Sequence, residues 1–375
     1  MNNPFILTGY VSPEYFCDRK EETEFILDAL QNRRNLTLIS PRKMGKTGLI
    51  KQVFHILREK DDKIATFYVD ILNTQSFGDF VCSFSNAVMG SLDNAPEKLV
   101  NKALSIFKSA RPTLTIDPVT SSPKFSLELQ QGQEESTLKD IFEYLGKSGK
   151  RCVVAFDEFQ QIASYPEKSV EAVLRSYIQF IPNASFIFSG SREHMLAEMF
   201  LSPSKPFYQS TVNRKIGSID AGSYYSFASH FFKKQGRTLP EDVFAGIYDR
   251  FDGHTWYVQN VLNHLWGRDG DLDKGAADFA LKSILEENEY FYQMFLRAYS
   301  KGSVCLLKAV AKERYVKEIT SSSFIRKYSL SAASSVQSAV KKLIDDEVLY
   351  RSDKGYMVYD RFLGEWLAEQ YNWSN

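Results

Sequence analysis

Short apolar runs alternate with stretches of helical period through the first half of the chain. The runs Leu36 to Ser40 (LTLIS), Ala65 to Leu72 (ATFYVDIL), Arg151 to Asp157 (RCVVAFD) and Ala184 to Gly190 (ASFIFSG) predict strands, with Asn213 to Ile219 (NRKIGSI) a weaker fifth. VVAF and FIF are apolar without alternation, which fits strands buried on both faces of a parallel sheet. Directly after the first strand, Ile50, Val53, Phe54 and Leu57 recur at helical spacing, and Val173, Tyr177 and Ile178 suggest another helix. Pro118 and Pro123 among Thr and Phe residues make Thr113 to Leu129 an inserted β-hairpin ahead of the third strand. The alternation as a whole predicts an α/β sheet covered by helices.

The pattern changes twice further on. From Ser218 to Lys301 helical spacing dominates, as in Tyr224, Phe227 and Phe231, then Val258, Val261, Leu262 and Leu265. From Gly302 to Asn375 come short helices, with Val336, Val340, Leu343 and Ile344 on one face. Two β-like runs follow, Val348 to Arg351 and Tyr356 to Tyr359, joined by the turn chemistry of Ser352-Asp353-Lys354-Gly355. Helix, turn, helix and hairpin in that order describe a winged helix-turn-helix. The expected division is 1–217, 218–301 and 302–375. Tyr290, Phe291, Tyr292 and Phe295 are expected to pack between helices, the usual fate of an aromatic stripe.

Composition narrows the function. Lys and Arg total 46 and Asp and Glu 46, so no global field advertises nucleic acid or an acidic membrane. The four cysteines lie far apart without a CxxC pair, and the five histidines include no HExxH, which argues against a zinc site and a disulfide framework. The start of the chain has no signal-peptide pattern, and no run approaches the ~18 apolar residues of a membrane span. A cytoplasmic protein is expected.

Two motifs carry chemistry. The first strand runs into SPRKMGKT and then at once into a helix, a near match to the phosphate-binding loop GxxxxGK[ST]. Ser40, Pro41, Arg42, Lys43, Met44 and Gly45, continuing into Lys46, Thr47 and Gly48, are the candidate phosphate cradle, because such a loop turns backbone N–H groups and a helix start toward phosphate oxygens. Lys46 is the candidate contact to the β- and γ-phosphates and Thr47 a candidate Mg²⁺ ligand. The third strand ends in VVAFDE, the Walker B pattern, in which Asp157 suits Mg²⁺ and Glu158 suits the polarisation of an attacking water. The next strand closes on Ser189-Gly190-Ser191-Arg192, where Ser189 and Arg192 are candidate sensors of the γ-phosphate. Together these motifs predict a five-stranded parallel P-loop sheet (ASCE/AAA+-like), followed by an α-helical lid and a C-terminal winged helix-turn-helix.

With Tyr15-Phe16-Cys17-Asp18-Arg19-Lys20-Glu21-Glu22 ahead of the loop and Gly253-His254-Thr255-Trp256-Tyr257 in the helical region, these motifs resemble the archaeal-type ATPase family, of the STAND branch of AAA+-related ATPases. The resemblance spans the chain and departs at Ser40, where the family usually has glycine. It implies that the segment holding Phe16, Asp18 and Arg19 abuts the adenine base and that the lid motif with His254 faces the nucleotide. It further implies ATP/ADP and Mg²⁺ as cofactors and a slowly hydrolysing, nucleotide-dependent switch. Two rival readings stay open: a DNA-bound regulator or initiator, and a scaffold that binds nucleotide without hydrolysis.

For DNA the signal is local. Residues 301–375 hold 12 Lys or Arg against 9 Asp or Glu. Ser331, Ser334, Ser335, Gln337 and Ser338 with Lys341 and Lys342 offer base and phosphate contacts, yet Asp345, Asp346 and Glu347 follow and repel phosphate. DNA is therefore less favoured than docking of this domain on the other domains or on a partner, and a protein partner or self-association is possible.

Overall fold

The computed structural model describes residues 2–90, 106, 110–116, 123–129 and 132–372. Contacts within the chain group into two units, one of Thr8–Ile219 and one of Met1–Leu7 with Asp220–Asn375.

In the first unit, five strands form one parallel sheet: β1 (Leu36–Ile39), β2 (Ile64–Asp70), β5 (Arg151–Asp157), β6 (Ala184–Gly190) and β7 (Val212–Lys215), in the order β2-β5-β6-β1-β7. Helices α1 (Lys20–Gln31), α2 (Lys46–Lys60), α3 (Phe77–Gly90), α4 (Glu134–Lys147), α5 (Val170–Ile178) and α6 (Glu193–Leu201) accompany it. The expected insertion is an antiparallel hairpin of β3 (Ala110–Ile116) and β4 (Pro123–Leu129).

Alternation along the buried strands sorts side chains by size. Val154, Phe156, Phe186 and Phe188 join Phe67, Phe80, Phe84 and Phe142 in one core, where the Phe156 and Phe186 rings stack with centroids 6.2 Å apart. On the opposite face the smaller Val153, Ala155 and Ile187 meet Leu49, Ile50 and Val53 of α2. Small residues there let α2 lie close to the sheet, which holds its first turn near the ends of β1 and β5. Register then aligns the carboxyl ends of three strands, since Ile39 pairs with Gly190 and Phe156 with Phe188. In open α/β sheets this edge is where ligands bind.

Strand limits differ from expectation for physical reasons. β2 stops at Asp70 because the Asp70 carboxylate accepts from the Leu72 N–H (2.9 Å) and turns the chain. β7 is confined to Val212–Lys215 because its neighbour β1 ends at Ile39, opposite Lys215.

The second unit is helical apart from one hairpin. It contains α7 (Ala221–Lys234), α8 (Glu241–Arg250), α9 (Thr255–Trp266), α10 (Lys274–Leu296), α11 (Lys301–Glu313), α12 (Ser322–Lys327), α13 (Ala333–Asp345) and α14 (Arg361–Asn372), with β8 (Leu349–Ser352) and β9 (Gly355–Val358) antiparallel. The side chains of Asp220 and Asp273 cap α7 and α10 by accepting N–H bonds in the first turn. The start of the chain is fastened here too: Trp256, Gln259 and Asn263 of α9 donate side-chain bonds to the carbonyls of Leu7, Ile6 and Phe5. In the winged helix, Val316 bridges to Tyr356 and adds a third short segment to the hairpin. Val336, Val340 and Leu343 of α13 are buried, while Ser334, Ser335, Gln337, Ser338, Lys341 and Lys342 are exposed. No described helix is long and apolar enough to cross a membrane.

The turn after α8 ties the lid corner to the winged helix. Asp252 is left-handed (φ 50°), and Gly253 (φ 64°) has Tyr248 so close that a Cβ would stand 2.4 Å from the ring. The Asp252 carboxylate accepts from Lys354 Nζ (2.7 Å), Arg361 Nη1 (2.6 Å) and the Tyr315 hydroxyl, with Arg314 Nη2 at 3.4 Å. Burial alone raises the pKa of this carboxyl, but the bonds from Lys354 and Tyr315 and the charges of Arg361 and Arg314 outweigh it and hold the pKa down to about 2. A folded-state value below the ordinary one near ~3.9 means that the stabilisation is complete above about pH 4 and is lost as pH falls toward 2. Asp252→Asn should therefore lower the urea midpoint of unfolding at pH 6 by more than at pH 3. A gap between parent and variant that stays constant on acidification contradicts the ion cluster.

One expectation is corrected. Among the aromatic residues near the end of α10, Tyr292 packs on Trp366 (centroids 5.6 Å), but Tyr290, Phe291 and Phe295 are 67%, 68% and 42% exposed. The helix buries Leu281, Ile284, Leu285 and Leu296; Tyr290 lies on the side opposite Leu281, whereas Phe291 and Phe295 follow the line of Ile284, seven and eleven residues on, and stay exposed there.

Candidate nucleotide-binding site

The loop between β1 and α2 turns through Lys43 (φ 63°) and Gly45 (φ 91°), the latter a conformation natural to glycine, and delivers Lys46 to the first position of α2. Backbone N–H groups at such a helix start have no intrahelical acceptor and face the sheet's carboxyl edge. Lys46 is 5% exposed, and its ammonium donates to Ser40 O (3.0 Å), Ser40 Oγ (3.2 Å) and Pro41 O (3.3 Å). Burial lowers its pKa, and the carboxylates of Glu158 and Asp157 work the other way. Ser40, the departure from the glycine pattern, is fully buried and not at positive φ, so its backbone needs no glycine. Its hydroxyl donates to Pro41 O (3.0 Å) and helps to seat the lysine.

Asp157 at the end of β5 collects four hydrogen bonds. One oxygen, Oδ2, accepts from Thr47 Oγ1 (2.7 Å) and the Tyr68 hydroxyl (2.5 Å), and Oδ1 accepts from Ser189 Oγ (2.6 Å) and the Glu158 N–H (3.1 Å). Burial and the neighbouring Asp157 push the Tyr68 hydroxyl pKa far up, which keeps it a proton donor. Glu158 is left-handed (φ 57°), an uncommon state for a glutamate. Its Oε2 accepts from Gln160 Nε2 (2.5 Å) and Ser191 Oγ (2.7 Å). Gly190 makes room beside it, since a Cβ there would stand 2.0 Å from Gln160 Oε1 and 2.8 Å from Leu196 Cδ1.

The segment ahead of α1 closes on the same loop. Phe16 lies against Gly48, where an added Cβ would be 3.4 Å from the ring. Asp18 (φ 52°) and Arg19 (φ 63°) form a left-handed pair that turns the 4%-exposed Arg19 inward, to Met44 O (3.0 Å) and Glu22 (2.9 Å). Thus Phe16, Arg19, Lys46, Thr47, Asp157, Glu158 and Ser189 gather at one sheet edge. Arg192 is at the start of α6, exposed, with Nη1 3.8 Å from Met195 Sδ. His254, the N-cap residue of α9 with its ring 4.7 Å from that of Tyr257, belongs to the second unit. Sequence reasoning missed Tyr68, Gln160 and Ser191. Tyr68 had a signal, because alternation in ATFYVDIL puts Phe67 and Val69 on one face and leaves Tyr68 on the other with Asp70.

Residues 16–261, well over half of the chain, match the model of an ATPase domain predominantly from Archaea. The chain belongs to that family. It is thus an archaeal-type P-loop ATPase, an ATP-binding protein by family, and residues 290–369 match a probable winged helix domain. An uncharacterized ATP-binding protein of Pyrococcus horikoshii is 25% identical over 39% of this chain and 44% of its own length, so that match spans less than half of the relative. Another from Methanocaldococcus jannaschii is 23% identical over 67% of this chain and 70% of its own. Among solved structures, the Walker-type ATPase of Pyrococcus abyssi aligns with TM-score 0.67 at 18% identity, covering 97% of this chain and 99% of that one. The Aeropyrum pernix ORC1 protein, solved in complex with DNA, aligns with TM-score 0.56 at 12% identity over 99% and 97%. These likenesses show a shared fold.

The donor set fits Mg²⁺: Thr47 and Asp157 present hard oxygens side by side, as that ion prefers.

Proposed function

We propose that this ATPase is a slowly hydrolysing, STAND-type switch whose states are set by ATP and ADP. The observation that carries the reading is the junction of Lys46, Thr47, Asp157 and Glu158 at the edge where β1, β5 and β6 end. Lys46 and the α2 N-terminus bind the phosphates, and Phe16 borders the base. Thr47 and Asp157 are the residues suited to hold Mg²⁺, which supplies charge neutralisation at the phosphates. Glu158 orients a water and takes its proton at the carboxylate. Gln160 and Ser191 each donate a hydrogen bond to the Glu158 carboxylate and fix its orientation.

In this reading 1–217 bind nucleotide, 218–301 form a lid that presents His254, and 302–375 relay the state to a protein partner within the cytoplasm. Exposed Asp345 and Asp346, at the end of the helix that carries Lys341 and Lys342, support a protein partner over DNA.

Arg192 provides the test. It sits two residues past the end of β6 and has the reach and the paired donors to meet a γ-phosphate oxygen. A charge-assisted contact made with ATP alone contributes about 1.5 to 3 kcal/mol, so Arg192→Ala should weaken ATP binding about tenfold to a hundredfold and leave ADP nearly unchanged. The ratio of the two dissociation constants is the measurement. An unchanged ratio removes Arg192 from the sensing role.

A further inference from the structure

Four large apolar side chains stand in solvent within six residues of α10: Tyr290 (67% exposed), Phe291 (68%), Met294 (44%) and Phe295 (42%). They make two adjacent rows, since Tyr290 and Met294, like Phe291 and Phe295, are separated by one helical turn. Phe279 (55% exposed) also lies outward on this helix, but Arg268 covers its ring at 3.8 Å. No such cation–π cover is present over Tyr290 or Phe291 among the described residues. Elsewhere the exposed large apolar residues, such as Val11, Phe180 and Leu201, are scattered singly, as on any protein surface. A contiguous apolar stripe is different, because it marks an association surface.

We infer that the stripe is a self-association surface on which a second copy of this chain docks its own α10, antiparallel. Charge selects this occupant. The helix is acidic before the stripe, at Glu286, Glu287 and Glu289, and carries a basic residue just after it, the exposed C-cap Arg297. A two-fold axis between residues 292 and 293 exchanges the two ends: it lays Tyr290 beside the other copy's Phe295 and Phe291 beside its Met294. The same operation brings Arg297 of the second copy level with residue 288, within reach of Glu286 and Glu287. A parallel pairing would instead stack acid on acid and base on base. An isologous contact of this kind closes on itself as a dimer rather than growing into a filament.

The experiment is sedimentation of the full chain over a range of protein concentrations, with and without Phe291→Glu. The parent should dimerise and the variant should stay monomeric at the highest concentration, with unchanged circular dichroism and melting, because Phe291 contributes no core packing. A parent that is monomeric throughout, or a variant as dimeric as the parent, overturns the inference. Direction is read separately by thiol cross-linking with a short bismaleimide, in a Cys305→Ser background that removes the exposed native thiol. Met294→Cys should cross-link between copies. Ser283→Cys should not, because its two copies stand about 28 Å apart along the pair at 1.5 Å per residue. Efficient cross-linking at both positions would fit a parallel pair and rule out the arrangement inferred.

Discussion

Lys46→Ala is expected to remove ATP binding. The ammonium is buried at the head of α2 and already seated by Ser40 and Pro41, so it is held in place rather than sampling solvent. Orienting it costs little on binding, and its charge meets phosphate oxygens in a poorly hydrated setting. Losing two charge-assisted bonds at about 1.5 kcal/mol or more each lowers affinity by at least about a hundredfold. Calorimetric titration of ATP into the variant, with unchanged thermal unfolding as the control for folding, reads this directly. Affinity within a few-fold of the parent would mean that the loop does not hold the phosphates.

Glu158→Gln should separate binding from chemistry. The amide keeps the size of the side chain and an acceptor oxygen for Gln160 or Ser191, but it cannot accept a proton. ATP affinity should hold within a few-fold while single-turnover hydrolysis slows by about a hundredfold or more, the usual scale for a lost general base. Asp157 supplies the contrast, since its carboxylate adjoins Thr47 and Tyr68, and Asp157→Asn should act on the Mg²⁺ dependence instead. Hydrolysis by Glu158→Gln at the parent rate would give the role of base to another group.

The sheet was legible because its central strands are buried on both faces and carry uninterrupted apolar runs. Lys46, Thr47, Asp157 and Glu158 were legible because each sits at a fixed offset from a strand end. Residues that act through tertiary proximity were not. Gln160 and Ser191 meet at Glu158 only because Gly190 admits Gln160 and Glu158 adopts a left-handed backbone, and neither condition has a sequence period. The function of Ser40 was also hidden: the pattern registers the lost glycine, whereas the fold shows a hydroxyl that accepts from Lys46. The stripe on α10 misled for a related reason. Helical spacing identifies a shared face, but not how far a neighbour covers it: Phe291 and Phe295 follow Ile284 by seven and eleven residues, and Ile284 alone of the three is buried.

The cluster around Asp252 ties the turn after α8 to the β8–β9 hairpin and the start of α14 through one carboxylate. Asp252 lies two residues from His254 and is bonded to Lys354 at the turn of the β8–β9 hairpin. Linkage then works in both directions: if nucleotide acting at His254 repositions the hairpin, whatever engages the hairpin must change nucleotide affinity by the same factor. Within the switch proposed above, the winged helix is then an input as much as an output.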